Sequence, residues 1–96
     1  MKISLTKRAE NNFREIKQYI FSEWGELVAN AFEQKFIDLL DLLERFPEMG
    51  FAEVPEKQIR GFLLSKQTRV YYRIKGDKII ILRLFDVRQN PTKKPR

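Results

Sequence analysis

The chain opens with a short alternation of polar and apolar residues, Lys2 to Leu5, that predicts a first strand running into Thr6. Thr6 is a good helix N-cap, so a helix is expected from about Lys7. Ala9, Phe13, Ile16, Ile20 and Trp24 then recur at helical spacing with polar residues between them, which predicts one apolar stripe on a solvated helix ended by Gly25. A second helix is expected from about Glu26 to Arg45. Its predicted inner face is Val28, Ala31, Phe32, Phe36, Leu39, Leu40, Leu43 and Phe46. The join around Gly25 is so short that the two helices must fold back as an antiparallel hairpin. Pro47 and Gly50 close the second helix, and Phe51 to Lys57 has no clear period, so it reads as a loop. Three strands follow at Ile59–Leu64, Arg69–Ile74 and Ile79–Phe85, the last two joined by Gly76-Asp77, a type II′ hairpin signal.

Ile79-Ile80-Ile81-Leu82 does not alternate. That predicts a last strand buried on both faces, hence central, with the first strand on its free edge. The expected fold is α+β, a helical hairpin packed on a small, mainly antiparallel four-stranded sheet, in one domain over residues 1–90. Residues 91–96 form a polar, basic tail in which Pro91 and Pro95 prevent strand pairing.

Charge changes the picture because its sign is divided along the chain. Met1 to Glu56 holds seven Lys/Arg and eleven Asp/Glu, a balance of −4, whereas Lys57 to Arg96 holds twelve and two, a balance of +10. A one-signed region of this kind attracts nucleic acid, ribosome or an acidic protein segment, although basic surfaces also serve solubility alone. Cysteine and histidine are both absent. This removes disulfides, thiolate zinc sites, the commonest general base and Ser-His or Cys-His nucleophiles. No glycine-rich phosphate loop occurs, so no cofactor and no metal are expected. With neither a secretory leader pattern nor an apolar run long enough to span a bilayer, a cytoplasmic protein without membrane contact is expected.

With direct pairing across Gly76-Asp77, Arg69, Tyr71 and Arg73 share one face of the sheet. Val70, Tyr72 and Ile74 then share the other with Ile79, Ile81 and Arg83. Guanidinium groups interleaved with a tyrosine suit single-stranded RNA or a carboxylate-rich peptide, and they equally suit an ordinary solvated face. Arg83 stands inside an apolar strand. It must therefore reach solvent, pair with an acid or bind a ligand. Leu27, Ile37 and Leu42 lie off the main stripe of the second helix and are candidate partner contacts.

Several linked patterns resemble the RelE/ParE superfamily of type II toxin–antitoxin toxins, the plasmid stabilisation family, over essentially the whole chain to Asn90. They are A-x-x-x-F-x-x-I-x-x-Y-I from Ala9 to Ile20, Trp24-Gly25, Phe46-Pro47-x-Met49-Gly50, Ile59-Arg60 before Leu63-Leu64, Arg69-Val70-Tyr71-Tyr72, and Phe85-x-x-Arg88. The resemblance implies a growth-arresting toxin neutralised by a cognate antitoxin that wraps around it.

Two activities follow by resemblance. RelE-like members are ribosome-dependent mRNA endonucleases that need no metal, and the residues here that resemble their basic site are Arg60, Arg69 and Arg88, with Lys66 nearby. Arg69 and Arg88 are then the catalytic candidates, both expected to be exposed. The aromatic or His base that those members carry after the last strand has no counterpart, because Tyr19, Tyr71 and Tyr72 are the only tyrosines. ParE-like members instead inhibit DNA gyrase, and the long hairpin looks more like theirs, so gyrase inhibition is the favoured reading. A non-toxic nucleic-acid-binding module is a further alternative.

Overall fold

A computed structural model describes residues 2–88; the tail expected at 91–96 and the approach to it lie outside the described residues. The element order is β1 (Lys2–Leu5), α1 (Lys7–Trp24), α2 (Glu26–Arg45), β2 (Phe51–Val54), a 3-10 turn (Pro55–Lys57), β3 (Ile59–Leu63), β4 (Thr68–Lys75) and β5 (Lys78–Asp86). The α+β class and the hairpin on the sheet are as expected. The sheet has five strands in the order β1-β5-β4-β3-β2, rather than four. The extra strand is Phe51–Val54, which the sequence reads as loop. It has no apolar alternation because it is an edge strand exposed along most of its length, and only a pairing to β3 interrupted by a bulge makes it a strand. Among the described residues, no helix is long and apolar enough to cross a membrane.

Thr6 fixes the junction between sheet and helix. Its hydroxyl accepts from the Ala9 N–H at 3.0 Å, the capping role expected of it, and donates to the Leu82 carbonyl at 2.8 Å. Its backbone N–H donates to the Ile81 carbonyl at 3.0 Å, extending the parallel pairing of β1 with β5. Where β1 ends, the Leu84 N–H is satisfied by Asn12 of α1 at 3.1 Å. Gly76 has φ +61, the positive value that a primed hairpin turn requires.

The core forms where Ala9, Ile16 and Ile20 of α1 and Phe32, Phe36, Leu39 and Leu43 of α2 meet Val70, Tyr72, Ile79, Ile81 and Leu84. Phe13 stacks on Phe32 and Phe36 with centroids 5.5 and 5.0 Å apart, locking the two helices together. Three expected core positions of α2 are exposed instead: Val28, Ala31 and Phe46. Ala29 takes the place of Val28, since the stripe through 29, 32, 36, 39 and 43 follows helical spacing more closely. Trp24, at the tip of the hairpin, is half exposed. β5 is flanked by strands on both sides as expected, but it is buried on one face only, with Ile80 and Leu82 partly open.

Candidate functional site

Cross-strand pairing sorts the candidate residues between two faces. On β4, Val70 and Tyr72 point into the core, so their neighbours Arg69, Tyr71 and Arg73 share the opposite, open face, as alternation predicts. Arg83 does not stand where the sequence puts it. Tyr71 pairs with Arg83 and Tyr72 with Ile81, leaving Leu82 without a partner: a β-bulge. The extra residue moves Arg83 off the covered face and onto the open one. The bulge is held by the Thr6 hydroxyl bond to the Leu82 carbonyl.

The open face is built of three cross-strand rows: Leu63–Arg69–Phe85, Gly61–Tyr71–Arg83 and Ile59–Arg73–Ile80. Arg69 bonds Glu53 of β2 at 3.1 Å, with both side chains substantially exposed. Arg83 lies near the Tyr71 and Phe85 rings, its guanidinium carbon 5.8 and 5.6 Å from their centroids, within cation–π reach. Its Nε is buried without a hydrogen-bond partner. Arg73 is exposed. A groove of about 480 Å³ crosses this face between Thr6, Arg8, Ile59, Tyr71, Leu82 and Arg83.

Arg60 and Arg88 belong elsewhere. Arg60 pairs with Tyr72 in register and so sits on the covered side, where its Nη1 donates to the carbonyls of Glu48 at 3.2 Å and Gly50 at 2.9 Å. It pins the loop after α2. The same loop is closed by Tyr72, whose hydroxyl donates to the Pro47 carbonyl at 2.8 Å and accepts from the Gly50 N–H at 2.9 Å. Burial raises the Tyr72 pKa, so the phenol stays protonated. Gly50 is obligatory there because a Cβ would lie 2.7 Å from the Gly61 carbonyl oxygen and 2.8 Å from the Tyr72 hydroxyl. Lys66 is exposed in the turn between β3 and β4.

Arg88 is committed to Asp86. Its Nη2 and Nε reach the two carboxylate oxygens at 2.8 and 3.1 Å, its backbone N–H donates to Oδ1 at 2.8 Å, and Thr68 donates its hydroxyl to Oδ2. Asp86 is fully buried. Burial alone would raise its pKa, yet the hydrogen bonds from Arg88 and Thr68 outweigh it and hold the carboxyl below its ordinary range. The bond to Asp86 in turn raises the Arg88 pKa against the opposing effect of burial. The guanidinium carbon lies 5.5 Å from the Trp24 ring centroid, tying the end of β5 to the hairpin tip. Arg88, expected to be exposed, keeps only 26% of its side-chain surface in water. Arg69 and Arg88 therefore lie on opposite faces of the sheet.

Asp86 and Glu53 were invisible as site residues from sequence. Asp86 is one of only two carboxylates beyond Glu56, which is the signal that could have drawn attention to it. Glu53 had none, because its strand was unrecognised. The three candidate partner contacts on α2 are all exposed: Leu27 at 85%, Ile37 at 41% and Leu42 at 39%. They do not form one patch, since five positions separate Ile37 from Leu42 and turn them about 140° apart around the helix axis.

With this geometry in hand, the sequence model described as "ParE toxin of type II toxin-antitoxin system, parDE" matches residues 3–91. No curated protein sequence matches the chain significantly. Among solved structures, the chain is similar to one described as "Chromosomal ParDE TA system from P. aeruginosa". The TM-score is 0.75 at 23% identity, covering 90% of this chain and 95% of that one. It is also similar to "YoeB/ParE toxin from Agrobacterium tumefaciens", with TM-score 0.64 at 14% identity over 90% of this chain and 98% of that one. At such identities the likeness is one of fold.

Proposed function

Since the chain belongs to the ParE toxin family of type II toxin–antitoxin systems, we propose that it is a growth-arresting toxin, neutralised by a cognate antitoxin, that inhibits DNA gyrase. The observation that carries the choice of target is the commitment of Arg88 to the buried Asp86, on the opposite side of the sheet from Arg69. A ribosome-dependent mRNA endonuclease built on these two arginines needs both guanidinium groups around one phosphate, because transition-state stabilisation depends on donors converging on the reacting oxygens. Arg88 would have to leave a buried carboxylate to take part, and doing so strands Asp86 as an unpaired buried charge. The absence of His, and of any tyrosine beyond Tyr72, leaves that chemistry without a conventional base.

The antitoxin is the partner expected to cover the basic open face, with Arg69, Tyr71, Arg73 and Arg83, and to reach the exposed aliphatics Leu27, Ile37 and Leu42. Titrating the purified protein into a gyrase supercoiling reaction tests the target. Supercoiling is expected to fall with toxin concentration and to recover on addition of the neighbouring gene's product. Undiminished supercoiling at a large molar excess of toxin rules gyrase out.

A further inference from the structure

Arg83 is the one guanidinium of the open face that is partly withdrawn from water and still lacks an acid. Among the described residues, no carboxylate comes within salt-bridge distance of it. Its Nε is sealed from solvent without an acceptor, while the groove leaves the Nη edge reachable. The rings of Tyr71 and Phe85 offset part of the lost hydration and hold the planar group in place. A fixed, half-dehydrated fork is what a carboxylate binds bidentately with little further ordering cost.

The surroundings decide which anion fits. Each arginine of the three rows has apolar neighbours: Leu63 and Phe85 beside Arg69, Ile59 and Ile80 beside Arg73. Glu53 already occupies Arg69 and places a negative charge on the same face. A nucleic-acid backbone, with charges at short regular intervals, meets apolar rows and a carboxylate where it needs cations. An amphipathic peptide presenting one acid between apolar side chains meets complementary groups instead. We therefore propose that Arg83, with Arg8 at the rim of the groove, is a carboxylate subsite that takes one Glu or Asp side chain of an acidic, amphipathic partner segment. This rests on the antitoxin reading and names the chemistry by which the antitoxin is recognised on the sheet.

The test uses the full chain, isotopically labelled, and follows the Arg83 Nε–Hε resonance, assigned by its loss in Arg83→Lys. The probes are the capped tripeptides acetyl-Leu-Glu-Leu-amide and acetyl-Leu-Gln-Leu-amide, and inorganic phosphate. The Glu peptide is expected to shift the resonance and to bind about tenfold more tightly than its Gln counterpart. Arg83→Lys keeps the charge but not the planar fork, so it is expected to weaken the Glu peptide about tenfold, with an unchanged melting temperature as the check on folding. Equal binding of the two peptides overturns the proposal, and so does phosphate acting on Arg83 as strongly as the Glu peptide, which marks a nucleic-acid site. Copurification with the adjacent gene's product is scored separately. A chain that copurifies while the Glu peptide leaves Arg83 unmoved sinks the subsite and leaves the antitoxin reading standing. An Arg83 response in a chain without an antitoxin supports the carboxylate chemistry and removes the antitoxin as its source.

Discussion

The covered and open faces of the sheet both carry arginines, and they treat them in opposite ways. On the covered side Arg88 meets a buried carboxylate and Arg60 meets two backbone carbonyls, so both charges are consumed in holding the fold. On the open side Arg73 is exposed, Arg83 rests on aromatic rings without an acid, and only Arg69 has a partner, at the surface. Arginines of neighbouring strands, and Arg88 just past the end of β5, are thus divided by the face they reach into structural ones and ones left free for another molecule. Residue type alone does not separate these roles; the atoms each guanidinium touches do.

The largest effect is expected at Arg88. Arg88→Ala leaves Asp86 buried with only Thr68 and a backbone N–H, so it should cost about 3 kcal/mol, the low end for breaking a buried pair because Arg88 retains some hydration. Urea unfolding measures this, and a loss near zero would move Arg88 out of the structural group. Next comes Tyr72→Phe. It strands the Gly50 N–H and the Pro47 carbonyl, with an expected loss of about 1–3 kcal/mol on the same unfolding curve.

Acid should sharpen the contrast further. Asp86 has its pKa lowered in the folded state, so its contribution is complete above the unfolded carboxylate value of about 3.9 and is lost as pH falls through the folded value. Melting temperature measured between pH 7 and pH 3 should therefore fall mainly below pH 4. In Arg88→Ala, where the opposing burial is no longer outweighed by the guanidinium, the folded carboxyl takes its proton more readily, so this acid-dependent loss should shrink and the melting-temperature gap between the two proteins should narrow as pH falls. A pH profile identical in the two proteins contradicts the assignment. The smallest effects belong to the open face. Arg73→Gln should lie within about 0.5 kcal/mol of wild type, as surface substitutions do. Arg83→Gln should lose no more than about 1 kcal/mol, the scale of a partly exposed cation–π contact. A substantially larger loss at Arg83 makes it a structural residue and erases the difference between the faces.

Helix and strand periodicity made the hairpin, the β4–β5 turn and the Arg69–Tyr71–Arg73 row legible, because each depends on local spacing that the core then enforces. Thr6 announced itself as a cap for the same reason. What escaped depended on tertiary pairing. Phe51–Val54 becomes a strand only by lying against β3, and Arg83 changes face only because Thr6 binds the Leu82 carbonyl and stabilises a bulge. The commitment of Arg88 also escaped: Asp86 lies two residues earlier, but it is buried and bonded to Thr68 of β4, a tertiary pairing that no local pattern announces.

The most direct test of the division between the faces is made on the ribosome. Wild-type protein is incubated with ribosomes translating a defined message, and the message is mapped by primer extension. With Arg88 held on the covered side and Arg69 on the open one, the message should remain intact at toxin concentrations that arrest gyrase. Discrete cuts within codons, lost in Arg69→Ala and in Arg88→Lys, would show that the two arginines act together on one phosphate and would contradict this account.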